Sequence, residues 1–401
     1  MSDTTIQQPR VVEVTTYSVI FAVSFCHMLN DIMQSLIAAI YPMLKTDYNL
    51  DFWQIGLLTL AFQITASLLQ PVVGIVTDKR PMAYSLPVGM GATFLGLLLL
   101  ANAHSYGVLV VGASMVGIGS AIFHPESSRV ARMASGGRYG FAQSVFQVGG
   151  NFGQAIGPLL AAFIVVPNGQ GSVAWFSVMA FLGMLILTWI ARWYKRTSIA
   201  ARAKKKVAPA VSLPRNTVVT ALIILAILTF SKNIYMASIT SYYTFYTIER
   251  FGVDVQQSQI LLFLFLGAAA AGTLLGGPIG DRFGSKVVIW FSILGVLPFT
   301  LAMPYANLQV TILLSIIVGF IIASSFPAII VFAQELVPGR VGMIAGIFFG
   351  FAFGMGGIAA AVLGVLADEY GIEFVYAICA FLPALGLLTI FLPSNKALQA
   401  S

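Results

Sequence analysis

The residues best suited to chemistry stand in stretches otherwise too apolar to hold them. His27, Asn30, Asp31 and Gln34 are spaced three, one and three apart inside one such run, which sets all four on one face of a helix. A carboxylate at the centre of the run loses hydration whenever it is charged, so Asp31 is suited to binding and releasing a proton. The competing reading is a carboxylate fixed permanently by a neighbouring helix. His27 either shares in that proton traffic or completes a hydrogen-bond network. Lys232 stands alone in a second apolar run, followed by Tyr235, Tyr242, Tyr243 and Tyr246. A lone ammonium there binds an anion, or else pairs with Asp31 as a structural ion pair. Tyr235, with Tyr242 and Tyr246 near the same face, offers hydroxyls and rings to a ligand, although an aromatic belt at the membrane surface accounts equally for the later two. Gln143, Gln147 and Asn151, spaced by four, form a polar stripe that is either cavity lining or interhelical glue. His124, Glu126 and Arg129 cluster at one helix end, and Gln334, Glu335 and Arg340 at another. Such groups relay protons, with Glu126 and Glu335 the candidate carriers, or form an inner gate or plain end-of-helix salt bridges. No nucleophile or metal constellation accompanies His124 and Glu126, and there is no Gly-x-x-x-x-Gly-Lys-Ser/Thr loop. Neither an enzyme, a resident metal nor a cofactor is therefore expected.

The elements that position these groups must lie in lipid. Of 401 residues, 58% are apolar and 9% charged, with a mean hydropathy of +0.91; a soluble domain is about a quarter charged. That excludes a water-soluble enzyme, and 30 Phe and 14 Tyr without a low-complexity period exclude a disordered chain. Breaking the chain at charged, Pro, Gly and Asn clusters gives twelve apolar segments of the length a spanning helix needs. They are 17–44, 53–77, 83–103, 107–123, 141–166, 173–194, 217–248, 258–280, 287–304, 308–333, 341–366 and 374–392. The fold class is an all-α polytopic membrane protein. Cys26 and Cys379, far apart in apolar runs, are read as small core residues.

Orientation follows from the basic residues. With the N-terminus inside, 18 of the 21 Lys and Arg fall on the cytoplasmic side, among them Arg10, Lys79, Arg282, Lys286, Arg340, Lys396 and eight between Arg192 and Arg215. Lys45 and Arg250 alone face out. Both termini are expected in the cytoplasm, and the +7 net charge reads as topology and anionic-lipid contact, not nucleic-acid binding. The first apolar segment lacks a small-residue cleavage site and reads as an anchor helix.

The basic stretch divides twelve spans into six and six, giving an N-terminal bundle (1–194), a cytoplasmic linker (195–215) and a C-terminal bundle (216–401). The halves repeat. Gly74-Ile-Val-Thr-Asp78-Lys79 recurs as Gly277-Pro-Ile-Gly-Asp281-Arg282, an offset of 203 residues. Gly149, Gly153 and Gly157 stand four apart in the fifth span, as do Gly342, Gly346, Gly350 and Gly354 in the eleventh; small residues so spaced let helix backbones approach closely. A duplicated six-helix unit is a transporter architecture with its substrate site between the halves.

Gly277-x-x-x-Asp281-Arg282-x-Gly284-x-Lys286 resembles the signature loop of the major facilitator superfamily. The first-half copy keeps Gly74, Asp78 and Lys79 but has Pro81 where Gly is usual. Gly153-x-x-x-Gly157-Pro158 resembles the fifth-span motif of drug/proton antiporters, with Ala161 and Ala162 where two glycines are usual. The stretches 27–35, 123–132 and 146–152, with Met236-Ala-Ser and Ser241-Tyr-Tyr-Thr-Phe-Tyr246, resemble the fosmidomycin-resistance branch of that superfamily over nearly the whole chain. The resemblance implies a major facilitator fold whose first, fourth, seventh and tenth helices line a central cavity, with Lys232 on one wall and Asp31 on the other. On this basis Asp31, His27, Glu126 and Glu335 are expected to couple protons. Lys232, Asn30, Gln34, Tyr235, Gln147 and Asn151 are expected to bind substrate. Gly74, Asp78, Lys79, Gly277, Asp281 and Arg282, with Gly153, Gly157 and Pro158, are expected to gate conformational change. The expected activity is export of a small anionic, fosmidomycin-like phosphonate antibiotic by proton antiport with alternating access; the alternative is a proton-coupled uptake symporter for a sugar or organic anion. The expected setting is the bacterial cytoplasmic (inner) membrane. The expected partners are protons, one small molecule and lipid, with no nucleic acid and no obligate protein partner, as a monomer.

Overall fold

The computed structural model describes residues 15–203, 213–395 and 397, and among them the chain is helical without a β-strand. In chain order the apolar helices are α1 (Tyr17–Ala39), α2 (Trp53–Lys79), α3 (Ser85–Ala101), α4 (Tyr106–Ala134), α5 (Tyr139–Asn168) and α6 (Gln170–Thr197). The second set is α7 (Arg215–Phe251), α8 (Ile260–Phe283), α9 (Ser285–Tyr305), α10 (Leu308–Leu336), α11 (Val341–Tyr370) and α12 (Ile372–Phe391). All but the 17-residue α3 are long and apolar enough to cross a membrane. Helices are the form such a sequence must take, because lipid offers no partner to an unbonded N–H or C=O. Side chains are distributed inside-out relative to a soluble protein: Phe163 and Phe263 are 77% and 72% exposed, while His124 and Glu126 are fully buried.

Helix ends differ from the sequence expectation where local chemistry intervenes. α1 stops at Ala39 and a separate short helix, Tyr41–Asp47, follows; Pro42 lacks an N–H and its ring would crowd the carbonyl four residues back. α4 runs past Phe123 to Ala134, through Pro125, so His124, Glu126 and Arg129 lie within it. The helix of α6 continues to Ala203, into the stretch read as linker. α7 ends at Gly252, whose φ of 66° suits a left-handed cap. Arg10, Lys204, Lys205, Lys206, Lys396 and both chain ends lie outside the described residues.

The glycine stripes decide which helices touch. Added Cβ atoms at Gly149, Gly153 and Gly157 would strike Ser24, Met28 and Ser35, so α5 packs backbone to backbone on α1. The α11 stripe has a different partner: Cβ atoms at Gly346 and Gly350 would strike the carbonyls of Gln70 and Ser67 on α2, while Gly354 faces open space. The two halves meet along α2/α11, α5/α8, α4/α11 and α5/α10. Cys26 and Cys379 are free thiols, each inside an apolar cluster.

Candidate functional site

Asp31 sits on the inner face of α1, 2% exposed, and its two oxygens are served separately. Oδ1 accepts from Asn30 Nδ2 at 3.1 Å and Gln34 Nε2 at 3.0 Å. Oδ2 accepts from Gln154 Nε2 of α5 at 3.0 Å. Each oxygen also faces an imidazole: His124 Nε2 lies 3.6 Å from Oδ1 and His27 Nε2 3.5 Å from Oδ2. The rings are turned by their other nitrogens, His27 Nδ1 lying 2.7 Å from the Phe146 carbonyl and His124 Nδ1 3.0 Å from that of Ser120. Gly150 permits this packing, since a Cβ there would lie 2.5 Å from the His27 ring. The donor atoms of His27, Asp31 and His124 lie within 4.8 Å of one another, a spacing a metal could use and one the sequence reading did not expect. The imidazoles address opposite oxygens of one carboxylate, an arrangement that suits a proton on either side better than one ion between both.

Beside this cluster a cavity of about 290 Å³ lies between the halves. His27 and Asp31 of α1 and Gln147, Gly150, Asn151 and Gln154 of α5 form one wall. Lys232, Asn233, Met236, Ala237, Thr240 and Ser241 of α7, with Phe326, Phe349 and Phe353, form the other. Two rows spaced by four, Lys232/Met236/Thr240 and Asn233/Ala237/Ser241, thus face inward, as helical geometry requires. Among the described residues Lys232 makes no ion pair with Asp31; its Nζ lies 4.9 Å from the centre of the Phe326 ring. The structural ion-pair reading is therefore corrected, and the ammonium stands free for a ligand. Gln147 Oε1 and Asn233 Nδ2, both on the wall, are buried without a partner, which leaves them an acceptor and a donor for the same ligand.

At the loop end the halves are tied twice, by the repeated loop. Asp78 accepts from the backbone N–H of Gly342 at 3.0 Å and Met343 at 2.7 Å, at the start of α11. Asp281 accepts from Gly140 at 2.7 Å and Phe141 at 2.8 Å, at the start of α5. Each carboxylate completes a helix N-terminus of the opposite half, where unpaired N–H groups and the helix dipole favour an anion. Glycines allow the approach: a Cβ at Gly74 would collide with the Gly342 carbonyl, and one at Gly277 with that of Gly140. Lys79 and Arg282 are exposed beside the ties. Gly284 ends α8 at φ 92°, a conformation that favours glycine; its counterpart Pro81 does not have a positive φ, so the first copy turns without a glycine there. A buried network backs the first tie. Arg129 of α4 reaches Asp78 at 2.5 Å, Glu126 at 3.1 Å and the Thr77 carbonyl at 2.7 Å. Replacing Arg129 with Met leaves two buried carboxylates facing each other, so the purified protein should lose about 3 kcal/mol. A thermal melt in detergent within about 1 °C of wild type would contradict this.

The structure gathers some expected site residues and separates others. Asp31, His27, Lys232, Gln147 and Asn151 share the cavity. Asn30 and Gln34 lie behind it as donors to Asp31, and Gln143 accepts from Ser128 of α4. Tyr235 turns the other way, into the C-terminal core, with its hydroxyl on Met303 Sδ. Glu126 belongs to the Arg129 network and Glu335 lies half-buried near Arg132 and Asp281. Gly153 and Gly157 pack on α1, and Pro158 precedes a π-turn at Ala161–Val165. The walls come chiefly from α1, α5, α7 and α11, with one residue from α10 and none from α4. The sequence reading missed Gln154, Asn233 and the place of His124. Gln154 was legible as the next step of the Gln147/Asn151 stripe and Asn233 as the neighbour of Lys232; nothing local tied His124 to α1.

A family profile of the Major Facilitator Superfamily matches residues 23–360, with a further match over 228–400. The chain is similar to the fosmidomycin resistance protein of Escherichia coli K12, 59% identical over 382 residues covering 95% of this chain and 94% of that one. It is also similar to YfnC of Bacillus subtilis 168, an uncharacterized MFS-type transporter, 42% identical over 403 residues, with 100% and 98% covered. Among solved structures it is similar to the transporter FucP in the outward conformation, with a TM-score of 0.72 at 16% identity over 94% of this chain and 99% of that one. The human organic anion transporter MFSD10 gives 0.72 at 16% over 96% and 100%; at such identity these likenesses show the fold alone.

Proposed function

The chain belongs to the Major Facilitator Superfamily, and we propose that it exports a small anionic phosphonate antibiotic of the fosmidomycin class from the cytoplasm in exchange for protons, by alternating access. It is a multi-pass membrane transporter and not an enzyme. One observation carries the proposal: a single cavity between the halves has a free ammonium, Lys232, on one wall and a carboxylate flanked by two imidazoles on the other. Lys232 supplies a point charge for a phosphonate, and Gln147, Asn233 and Asn151 line the same space with amides. Asp31 supplies the proton site. The cargo is inferred from the relative named for fosmidomycin resistance.

The energetics favour this direction. With the cell interior negative, an anion leaving and a proton entering each gain about 2.3 kcal/mol per charge per 100 mV. The cavity lining runs from mid-helix towards the ends remote from the Asp78 and Asp281 ties, which fits an outward-facing conformer closed on the cytoplasmic side. That orientation, in the bacterial inner membrane with both termini on the cytoplasmic side, rests on the distribution of basic residues. The working unit is a monomer needing only drug, protons and lipid.

Everted membrane vesicles energised to an acid interior test the proposal. Adding fosmidomycin should release protons and raise the internal pH. Lys232→Ala should raise the half-saturating drug concentration about tenfold or more, the loss expected when a charge-assisted contact is removed. Drug entering together with protons would replace export by symport, and no drug-linked proton movement would mean a different cargo.

A further inference from the structure

The buried imidazole of His124 has no place in the drug cavity, yet it faces the carboxylate as closely as His27 does. Its tautomer is fixed by its surroundings. Ser120 Oγ donates to Gln34 Oε1 at 2.8 Å, so towards His124 Nδ1, 3.3 Å away, it can only accept. The Ser120 carbonyl is an acceptor too, so Nδ1 carries the hydrogen. His27 Nδ1 faces only the Phe146 carbonyl and must likewise carry one. Both Nε2 atoms, buried and without hydrogen-bond partners, therefore point lone pairs at Asp31 when the rings are neutral. With the carboxylate ionised as well, two lone-pair contacts would oppose each other across one group. One proton relieves one contact and leaves the other open.

The two imidazoles also differ in where they lead. His27 lines the cavity. His124 sits on α4 under two rings of α11, Phe349 at 5.4 Å and Phe353 at 5.0 Å between centroids, and α11 belongs to the other half. From the remaining sides Asp31 meets the Gln154 amide of α5 and, across the cavity, Lys232 of α7; Glu126, on the same helix as His124, is turned to Arg129. Resting on the exchange of drug for protons proposed above, we propose that His124 is the third member of the proton site and passes the proton from Asp31 to the cytoplasmic side, with Phe349 and Phe353 as the cover over that exit. The carboxyl O–H proton moves to His124 Nε2, giving a carboxylate and an imidazolium that keeps its Nδ1–H on Ser120. When α11 withdraws, the imidazolium gives the Nε2 proton to entering water and returns to the neutral ring.

The test uses the full-length protein in membranes, with His124→Gln as the main variant and His27→Gln beside it. Two readouts are needed. The first is exchange of labelled for unlabelled fosmidomycin against drug-triggered proton release. His124→Gln should keep exchange within about twofold of wild type, while proton release falls at least about tenfold. The second needs no drug: the infrared C=O band of the protonated Asp31 carboxyl, assigned by its loss in Asp31→Asn, is followed against pH. Its midpoint should move by about one pH unit or more in His124→Gln. Wild-type proton release and an unmoved band in His124→Gln would overturn the proposal. So would loss of exchange together with release in a variant that melts like wild type, or stoichiometric metal in the purified wild-type protein. If the wild type releases no protons with drug but the band moves, the cargo assignment fails and the proton site stands.

Discussion

Asp31→Asn should abolish drug-triggered proton release from everted vesicles while leaving the protein folded. Asn keeps the size of the side chain and one of its oxygens, so either the Gln154 amide or the Asn30 and Gln34 amides retain their acceptor, and the new amide can donate to the imidazole nitrogen on its own side. The variant cannot take up a proton at this position, and its amide relieves one of the two lone-pair contacts without any titration. With the membrane potential clamped, a difference of one pH unit supplies about 1.4 kcal/mol, or tenfold drug accumulation, for each proton exchanged. In Asp31→Asn that ratio should fall to one, although labelled drug still exchanges across the membrane. A variant that still accumulates drug in response to a pH difference would take Asp31 off the proton path. Glu126 would then be a poor successor, because it is committed to Arg129 at 3.1 Å; Glu335, half-buried near Arg132 and Asp281, would be the next acid to remove.

Much of the fold was legible because lipid permits so few solutions. Apolar runs of spanning length must be helices, and a repeated loop at an offset of 203 residues announces a duplicated unit. Asp31 and Lys232 were legible for the same reason: a charge in mid-span has to be explained. What escaped depends on helix rotation and on pairings distant in sequence. Tyr235 stands three residues from Lys232, a step that turns a helix by about 60° from the starting direction, and this was enough to place it in the C-terminal core. The α5 and α11 glycine stripes read alike, yet one packs within a half on α1 and the other across halves on α2. Spacing shows that a helix can be approached closely and not by which neighbour. His124 looked like part of a polar helix end because Glu126 and Arg129 follow it; α4 in fact continues to Ala134 with those charges buried by Asp78, which carries His124 to the level of Asp31.

Gly74→Ala and Gly277→Ala should open the side closed by the Asp78 and Asp281 ties, the cytoplasmic side in the orientation proposed above. The two positions are repeat partners, and each lies where a helix of one half crosses the start of a helix of the other with backbone against backbone. A methyl group at Gly74 meets the Gly342 carbonyl, and one at Gly277 meets that of Gly140, atoms with no rotamer by which to retreat. The helices must separate, and the carboxylate four residues on then loses its two N–H donors, Gly342 and Met343 for Asp78 or Gly140 and Phe141 for Asp281. Bonds to a charged group contribute about 1.5 kcal/mol each, so losing one pair weakens the closed state by about 3 kcal/mol, roughly a hundredfold in its population relative to the open one. A cysteine at Gln334 of α10, buried against Ser128 of α4, reports the change through its reaction with a membrane-impermeant maleimide applied from the side of the two ties. Labelling should accelerate at least about tenfold in either variant. In Gly107→Ala, where the added Cβ meets nothing within 4 Å, it should not change. Unaltered labelling in Gly74→Ala and Gly277→Ala would mean that the loops tie the halves without setting their equilibrium. Acceleration in one variant alone would mean that the two ties are unequal despite their repeat. Arg129 grips Asp78 in a direct ion pair, whereas Arg138, a cation beside Asp281, donates to the Tyr17 hydroxyl; the first tie is therefore the stronger and Gly74→Ala the variant with the larger effect.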